Sequence, residues 1–185
     1  MLIIGITGTL GAGKGTIVDY LVQERGFVHF SVRGFITEEI NRQGLPVNRD
    51  SMVTVANALR AAHSPSYIID QLYNQAIVTG KNCIIESIRT PGEVDSLRKK
   101  DNFVLFAVDA DPMLRYDRIV MRNSETDRIS YVTFVENEAR EMQSNDPNKQ
   151  NIGKCIDQAD YIFYNNSTVP ELYKRVAEVL KGLDI

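Results

Sequence analysis

The chain has little sulfur chemistry to offer. Its 185 residues include two cysteines, Cys83 and Cys155. They stand far apart, which excludes a disulfide framework and a paired-cysteine metal site. Cys83 lies in an apolar run and reads as core; Cys155 reads as a small helix residue. Such usage suits a reducing cytoplasm, where the protein is expected to reside. Histidine is as scarce, with only His29 and His63. His29 reads as a packed strand residue and His63 as a loop residue, and neither shows a partner of the kind a nucleophilic triad needs. A surplus of positive charge is missing too: 21 Lys+Arg against 24 Asp+Glu leave a net charge of −3. No broad basic field offers itself to nucleic acid, so the arginines must act locally. No apolar run reaches the roughly 18 residues of a membrane span. The opening "MLIIGITG" has no basic lead and too short an apolar run for a secretory leader, so it reads as a first strand. No internal repeat or low-complexity segment is visible.

What is present is the composition of one ordinary domain, residues 1–185, with 43% hydrophobic and 24% charged residues. Short apolar runs alternate with longer helical patterns. "LIIGIT" (2–7), "FVHF" (27–30), "NCIIES" (82–87), "FVLFAVDA" (103–110) and "DYIFYNN" (160–166) read as strands. Helical patterns separate them, and Asp111 followed by Pro112 makes a helix cap and first turn. Five apolar strands divided by helices predict an α/β fold with a parallel sheet covered on both faces. Two long stretches interrupt the rhythm, about 31–80 and about 123–150. Both follow strand C-terminal ends, where open α/β sheets bind ligands. They are expected to form substrate-binding flaps.

The most specific stretch is "GITGTLGAGKGTIVDYL", residues 5–21. A strand runs straight into a glycine-rich turn and then a helix, the context of a phosphate-binding loop. Gly8, Gly11, Gly13 and Gly15 free the backbone to approach an anion closely. Ala12 fills the remaining small position. Consecutive N–H groups would then point inward at a helix start, and Lys14 would reach the outer phosphates. The usual loop follows its Lys with Ser or Thr, whose hydroxyl meets Mg²⁺. Here Gly15 stands in that position and Thr16 comes one residue late.

"GTLGAGKGT" resembles the loop of adenylate-kinase-type nucleoside monophosphate kinases, in which Gly-Thr follows the Lys. The resemblance implies a three-layer P-loop NTPase fold with five parallel strands in order 2-3-1-4-5. It also implies an acceptor-binding insertion (about 31–80), a LID-like insertion (about 123–150), ATP and Mg²⁺. The C-terminal "ADYIFYNNSTVPELYKRV" resembles the end of dephospho-CoA kinases instead. That likeness implies that Asn165 and Asn166 line an adenine pocket, although both also suit turn chemistry. Dephospho-CoA kinases usually carry Gly-Lys-Ser-Thr in the loop and an aspartate pair after the second strand, where this chain has Gly-Lys-Gly-Thr and "SVRG".

Phosphoryl transfer asks a protein mainly for positioning and positive charge. Arg33 follows the second strand, with Ser31 as a helix cap and second acceptor-side candidate. Arg89 follows the third strand, and Arg60 lies inside the first insertion. These three are the candidates for an acceptor phosphate, with an ordinary surface arginine as the alternative for each. Glu86 ends the third strand, where a carboxylate is unfavourable unless paired or metal-linked. Asp109 ends the fourth similarly. Thr16, Glu86 and Asp109 are the candidate metal contacts. Arg115, Arg118 and Arg122 share one helix face; Arg118 and Arg122 best suit an adenine-stacking and phosphate-clamping role. Arg128, and less so Arg140, would close over the phosphates from the LID.

The expected reaction is transfer of the ATP γ-phosphoryl group to a nucleoside or deoxynucleoside monophosphate by a monomer or homodimer. Lys14, Glu86, Arg89, Arg122 and Arg128 are the expected catalytic set. The alternatives are a dephospho-CoA kinase and a regulatory nucleotide-binding module that hydrolyses ATP slowly. The first would need a carboxylate base for its hydroxyl acceptor, and Glu86 is the candidate.

Overall fold

A computed structural model describes residues 1–123 and 128–185. The first strand, β1 (Ile3–Gly8), is buried along its whole length. Around it stand β2 (Val28–Ser31), β3 (Cys83–Glu86), β4 (Phe103–Asp109) and β5 (Tyr161–Tyr164). They form one sheet in the order β2-β3-β1-β4-β5, with every pairing parallel. This is the α/β P-loop arrangement. The expected first strand began and ended one residue earlier. Gly8 joins it because its register partner Val108 continues the pairing with β4.

Alternation along the strands divides the core in two. Ile3, Ile85 and Leu105 face one side, and Ile4, Ile84 and Phe106 the other. The second side is covered by α1 (Lys14–Arg25) and α9 (Val169–Gly182). Their buried stripes, Ile17–Leu21 and Leu172–Val176–Leu180, close over the sheet. Each such aliphatic side chain contributes roughly 1.5–3 kcal/mol by leaving water. The first side is covered by α4 (Tyr67–Val78), α5 (Pro91–Arg98) and α8 (Ile152–Asp157). Both cysteines lie in this core, and burial holds the Cys155 thiol protonated far above its ordinary range.

The interval between β2 and β3 is filled by α2 (Val32–Arg42), α3 (Arg49–Ala62) and α4. After β4 come α6 (Pro112–Arg122) and α7 (Tyr131–Met142). Asp111 caps α6, accepting from the N–H groups of Met113 and Leu114. The interval of about 123–150, expected from the sequence to act as a LID, includes α7, and its residues 124–127 lie outside the described residues. Phe134 anchors α7 through Tyr116 and the Arg115 guanidinium. This places α7 near the C-terminal edge of the sheet, where Glu141 meets Arg89 after β3 and Arg49 of α3.

Candidate functional site

A cavity of about 640 Å³ opens at that edge. One wall is the loop between β1 and α1. Gly8, Gly11 and Gly13 have φ of 137°, 79° and 101°, a region that side chains rarely adopt. Space forbids a side chain as well. A Cβ on Gly8 would stand 2.0 Å from the Val108 carbonyl oxygen, and one on Gly13 would stand 2.3 Å from Asn165 Nδ2. Gly15 is different: a Cβ there meets nothing within 4 Å. Its small size is therefore not imposed by packing.

Lys14 folds back on its own loop, donating to the carbonyls of Gly8 (2.9 Å) and Thr9 (2.7 Å). Burial, then the positive charge of Arg89, lowers its pKa to about 8, while Glu86 acts in the opposite sense. An ammonium this poorly compensated has strong reason to meet an anion. Asn165 steadies the loop by donating from Nδ2 to the Ala12 carbonyl at 2.8 Å. Its backbone carbonyl accepts from Arg118 at 2.8 Å. Asn166 turns outward and accepts from the Asp111 N–H at 2.8 Å.

Glu86 and Thr16 both line the cavity. Burial pushes the Glu86 carboxyl up, but its hydrogen bond to His29 and the nearby charges of Lys14 and Arg89 together hold it below the ordinary range. His29 Nε2 lies 3.3 Å from Glu86 Oε2. This corrects the reading of His29 as a packed strand residue without a carboxylate partner: it is exposed on β2 and meets Glu86 of the neighbouring β3. Asp109 stands apart from the cavity. Its Oδ1 accepts from Thr9 Oγ1 at 2.7 Å and from the Ala110 N–H at 2.9 Å. Among the described residues no group of three or more His, Cys, Asp or Glu gathers to hold a metal. Thr16 and Glu86 nonetheless supply hard oxygen donors beside the phosphate cradle. That donor set fits Mg²⁺, which keeps most of its waters and binds through one or two carboxylates plus phosphate.

Another wall carries arginines from other segments. Arg33 lines it, exposed at the start of α2, with Ser31 capping that helix through the Gly34 N–H at 3.1 Å. Arg89 donates from Nη1 to Gln150 (2.8 Å) and Glu141 (3.2 Å). Arg60 also borders the cavity, but two of its nitrogens bind Glu93 Oε1, at 3.1 and 2.8 Å. Glu93 is 0% and Arg60 2% exposed. The other Glu93 oxygen takes the N–H groups of Arg89 (2.8 Å) and Thr90 (3.1 Å). Arg60 therefore braces the corner that carries Arg89, a different position from one free to meet an acceptor.

The arginines of α6 split. Arg115 turns inward, donating to the Ala110 carbonyl at 2.8 Å, the Leu10 carbonyl at 3.3 Å and Glu138. Arg118 and Arg122 line the cavity. One buried Arg118 nitrogen, Nη1, has no hydrogen-bond partner, and burial lowers the pKa of this group. Arg128 is exposed and does not border the cavity. Arg140 also lies outside, bonded to Asn137 at 3.0 Å.

Residues 4–145 match a family model described as an AAA domain. Over 191 aligned residues the sequence is 30% identical to a UPF0200 protein of Methanococcus vannielii, covering 99% of this chain and 97% of the relative. The chain belongs to the UPF0200 family and carries an AAA domain. A UPF0200 protein of Methanocaldococcus jannaschii is 28% identical, covering 99% of this chain and 91% of the relative. Among solved structures, a shikimate kinase from Bacteroides thetaiotaomicron superposes with a TM-score of 0.60 at 14% identity, covering 97% of this chain and 98% of that one. A gluconokinase from Sinorhizobium meliloti gives 0.56 at 13% identity, covering 100% and 98%. These likenesses show the fold, that of a P-loop kinase.

Several residues of this UPF0200 chain's cavity carry no signal in the sequence. Ser87 has φ 74°, and its N–H and that of Ile88 both donate to the Ile6 carbonyl, at 3.0 and 3.1 Å. A left-handed serine beside Glu86 is a strained position of the kind that gathers at functional sites. Arg49, Glu141 and Gln150 line the cavity from segments remote from the strands. Arg49 opens α3 within a polar Asn48-Arg49-Asp50-Ser51 run that carries no motif.

Proposed function

We propose that the protein is an ATP-dependent kinase that transfers the γ-phosphoryl group to the phosphate of a small acceptor, a nucleoside or deoxynucleoside monophosphate. One observation carries this reading: Arg33 and Arg89 line the same cavity as Lys14 and the phosphate cradle. A site with cations on both walls suits two phosphates brought together. Lys14 and the N–H groups of the loop would hold the donor's outer phosphates. Arg33 and Arg89 would orient the acceptor phosphate for in-line attack, in which an acceptor oxygen bonds to the γ-phosphorus as the bridge to the β-phosphate breaks. Arg118 and Arg122 would offset charge from the donor side, and Arg128 would join them only on closure of the 123–150 interval. Mg²⁺, when bound near Thr16 and Glu86, would withdraw charge from the outer phosphates. The α2–α4 interval serves as the acceptor-binding insertion. A phosphate acceptor is already largely ionised near neutral pH, so this chemistry needs no protein base.

A second reading has one observation in its favour. Glu86 is held ionised at the cavity wall with His29 behind it, an arrangement able to take a proton from a hydroxyl acceptor such as dephospho-CoA. The test is Mg²⁺-dependent transfer from ATP to each common ribo- and deoxyribonucleoside monophosphate and to dephospho-CoA, with Lys14→Ala as blank. A diphosphate product supports the first reading and names the acceptor. CoA supports the second. ATP binding with slow hydrolysis and no transfer to any of them would favour a regulatory nucleotide-binding module.

A further inference from the structure

Glu141 holds an unusual place. It lies on α7, only 7% exposed, and its two oxygens go to two arginines from different parts of the chain. Oε1 pairs with Arg49 of α3, and Oε2 with Arg89 after β3 at 3.2 Å. Arg49, Arg89 and Glu141 all line the cavity. The pairing leaves donors unused: Arg49 Nε is buried without a partner. A guanidinium offers five N–H donors in a planar fork that matches phosphate as well as carboxylate. A tetrahedral dianion between these two forks would meet more donors, with twice the charge, than the single carboxylate that now joins them.

We propose that Arg49 and Arg89 form a phosphomonoester site that Glu141 fills from within the chain, and that an acceptor's phosphate takes its place. This deepens the kinase reading by adding Arg49 to the acceptor side and rests on that reading for the word acceptor. Among the described residues α7 has two carboxylate tethers to arginines, and exchange releases one of them. The other, Glu138 to Arg115, stays attached to the loop through the Leu10 carbonyl. Entry of the anion thus changes one polar contact of α7, while Phe134 and the Glu138–Arg115 pair keep the helix on α6.

The test reads binding without turnover, so failure of the kinase reading and failure of this one are distinguishable. Inorganic phosphate is titrated by calorimetry into Lys14→Ala protein, in which the loop's own cation is gone. Adding Glu141→Gln, which keeps the shape and removes the competing charge, should tighten binding about tenfold. Adding Arg49→Ala should weaken it at least tenfold, and Arg49→Lys, which keeps charge but loses the fork, several-fold. Circular dichroism checks that each variant is folded; should Glu141→Gln fail to fold, the Arg49 variants decide alone. Unchanged or weaker binding in Glu141→Gln, or unchanged binding in both Arg49 variants, overturns the proposal. Nucleoside monophosphates titrated in the same way separate the sources of the anion. One that binds at least tenfold tighter than inorganic phosphate, and loses that gain in Arg49→Ala, supports an acceptor's phosphate. Equal affinity for all of them and for the free ion overturns the acceptor assignment.

Discussion

On one wall of the cavity, the phosphate cradle is written in consecutive residues, Gly8 to Thr16, between a buried strand and a helix. On the other, Arg33, Arg89, Arg49 and Glu141 converge from α2, the β3–α5 corner, α3 and α7. The first wall is rigid by local rule: left-handed glycines, a helix start and one lysine. The second is rigid by long-range pairing of charges, and it exists only once the chain has folded. A local motif survives in any context that offers a strand and a helix. A convergent one depends on every segment that carries it, and so it should break in different ways.

The largest effect is expected where the second wall is braced. Arg60→Ala leaves Glu93 charged, fully buried and short of its main partner, a loss of about 3–5 kcal/mol. Denaturant unfolding would read it as a large drop in midpoint. A change below about 1 kcal/mol would show that the corner does not depend on this pair. On the first wall, Lys14→Ala should leave stability nearly unchanged yet reduce phosphoryl transfer by about a hundredfold or more, because the cation is directed at charge that develops in the reaction. Gly13→Ala stands between these extremes. It forces a side chain to φ 101° and into Asn165, so it should lower stability by about 1–3 kcal/mol and weaken nucleotide binding together. An unaltered nucleotide affinity would show that the cradle tolerates a different shape.

Proton linkage separates the walls more finely. Lys14 titrates at about 8 in the free protein, and anion binding should restore a more ordinary, higher value. Between about pH 8 and 10, nucleotide binding should therefore take up protons and weaken as pH rises. Below pH 8 Lys14 is already charged and the linkage fades. Calorimetry at pH 8.5 in two buffers of different ionisation heat should show uptake of more than about half a proton, absent in Lys14→Ala. The smallest effect belongs to Gly15→Ser. Nothing crowds that position, and replacing a helical glycine should change stability by no more than about 1 kcal/mol, with a gain favoured. Melting temperature is the readout. A marked loss would mean that Gly15 is fixed by something other than space.

The same contrast explains what could be read in advance. The strands and the loop are legible because both depend on local pattern: apolar runs of strand length, and glycines at set distances from Lys14; the sheet order follows only from the resemblance of that loop to a known family. The C-terminal motif suggests Asn165 for an adenine pocket; its contact with the Ala12 carbonyl is tertiary and carries no signal in the sequence. Arg49 and Glu141 were not legible, since only the tertiary fold brings α3 and α7 together over the sheet edge. Arg60 is legible as a cation of the first insertion, but its pairing with Glu93 is not, since only the fold brings α3 and α5 together. The same carboxylate also completes the capping box of α5 with Thr90. His29 is not legible as a partner of Glu86, because even with β2 beside β3 nothing local fixes the register and side-chain reach that join them.

The central claim is that one cavity binds two phosphate groups, one on each wall. Dinucleoside pentaphosphates, which join a donor and an acceptor nucleotide in one molecule, test it most directly by equilibrium titration against ATP. The account predicts that at least one binds about tenfold or more tightly than ATP, and that Arg89→Ala removes the gain while leaving ATP affinity nearly unchanged. Affinity no better than that of ATP for every such compound, or a gain that survives Arg89→Ala, would contradict it.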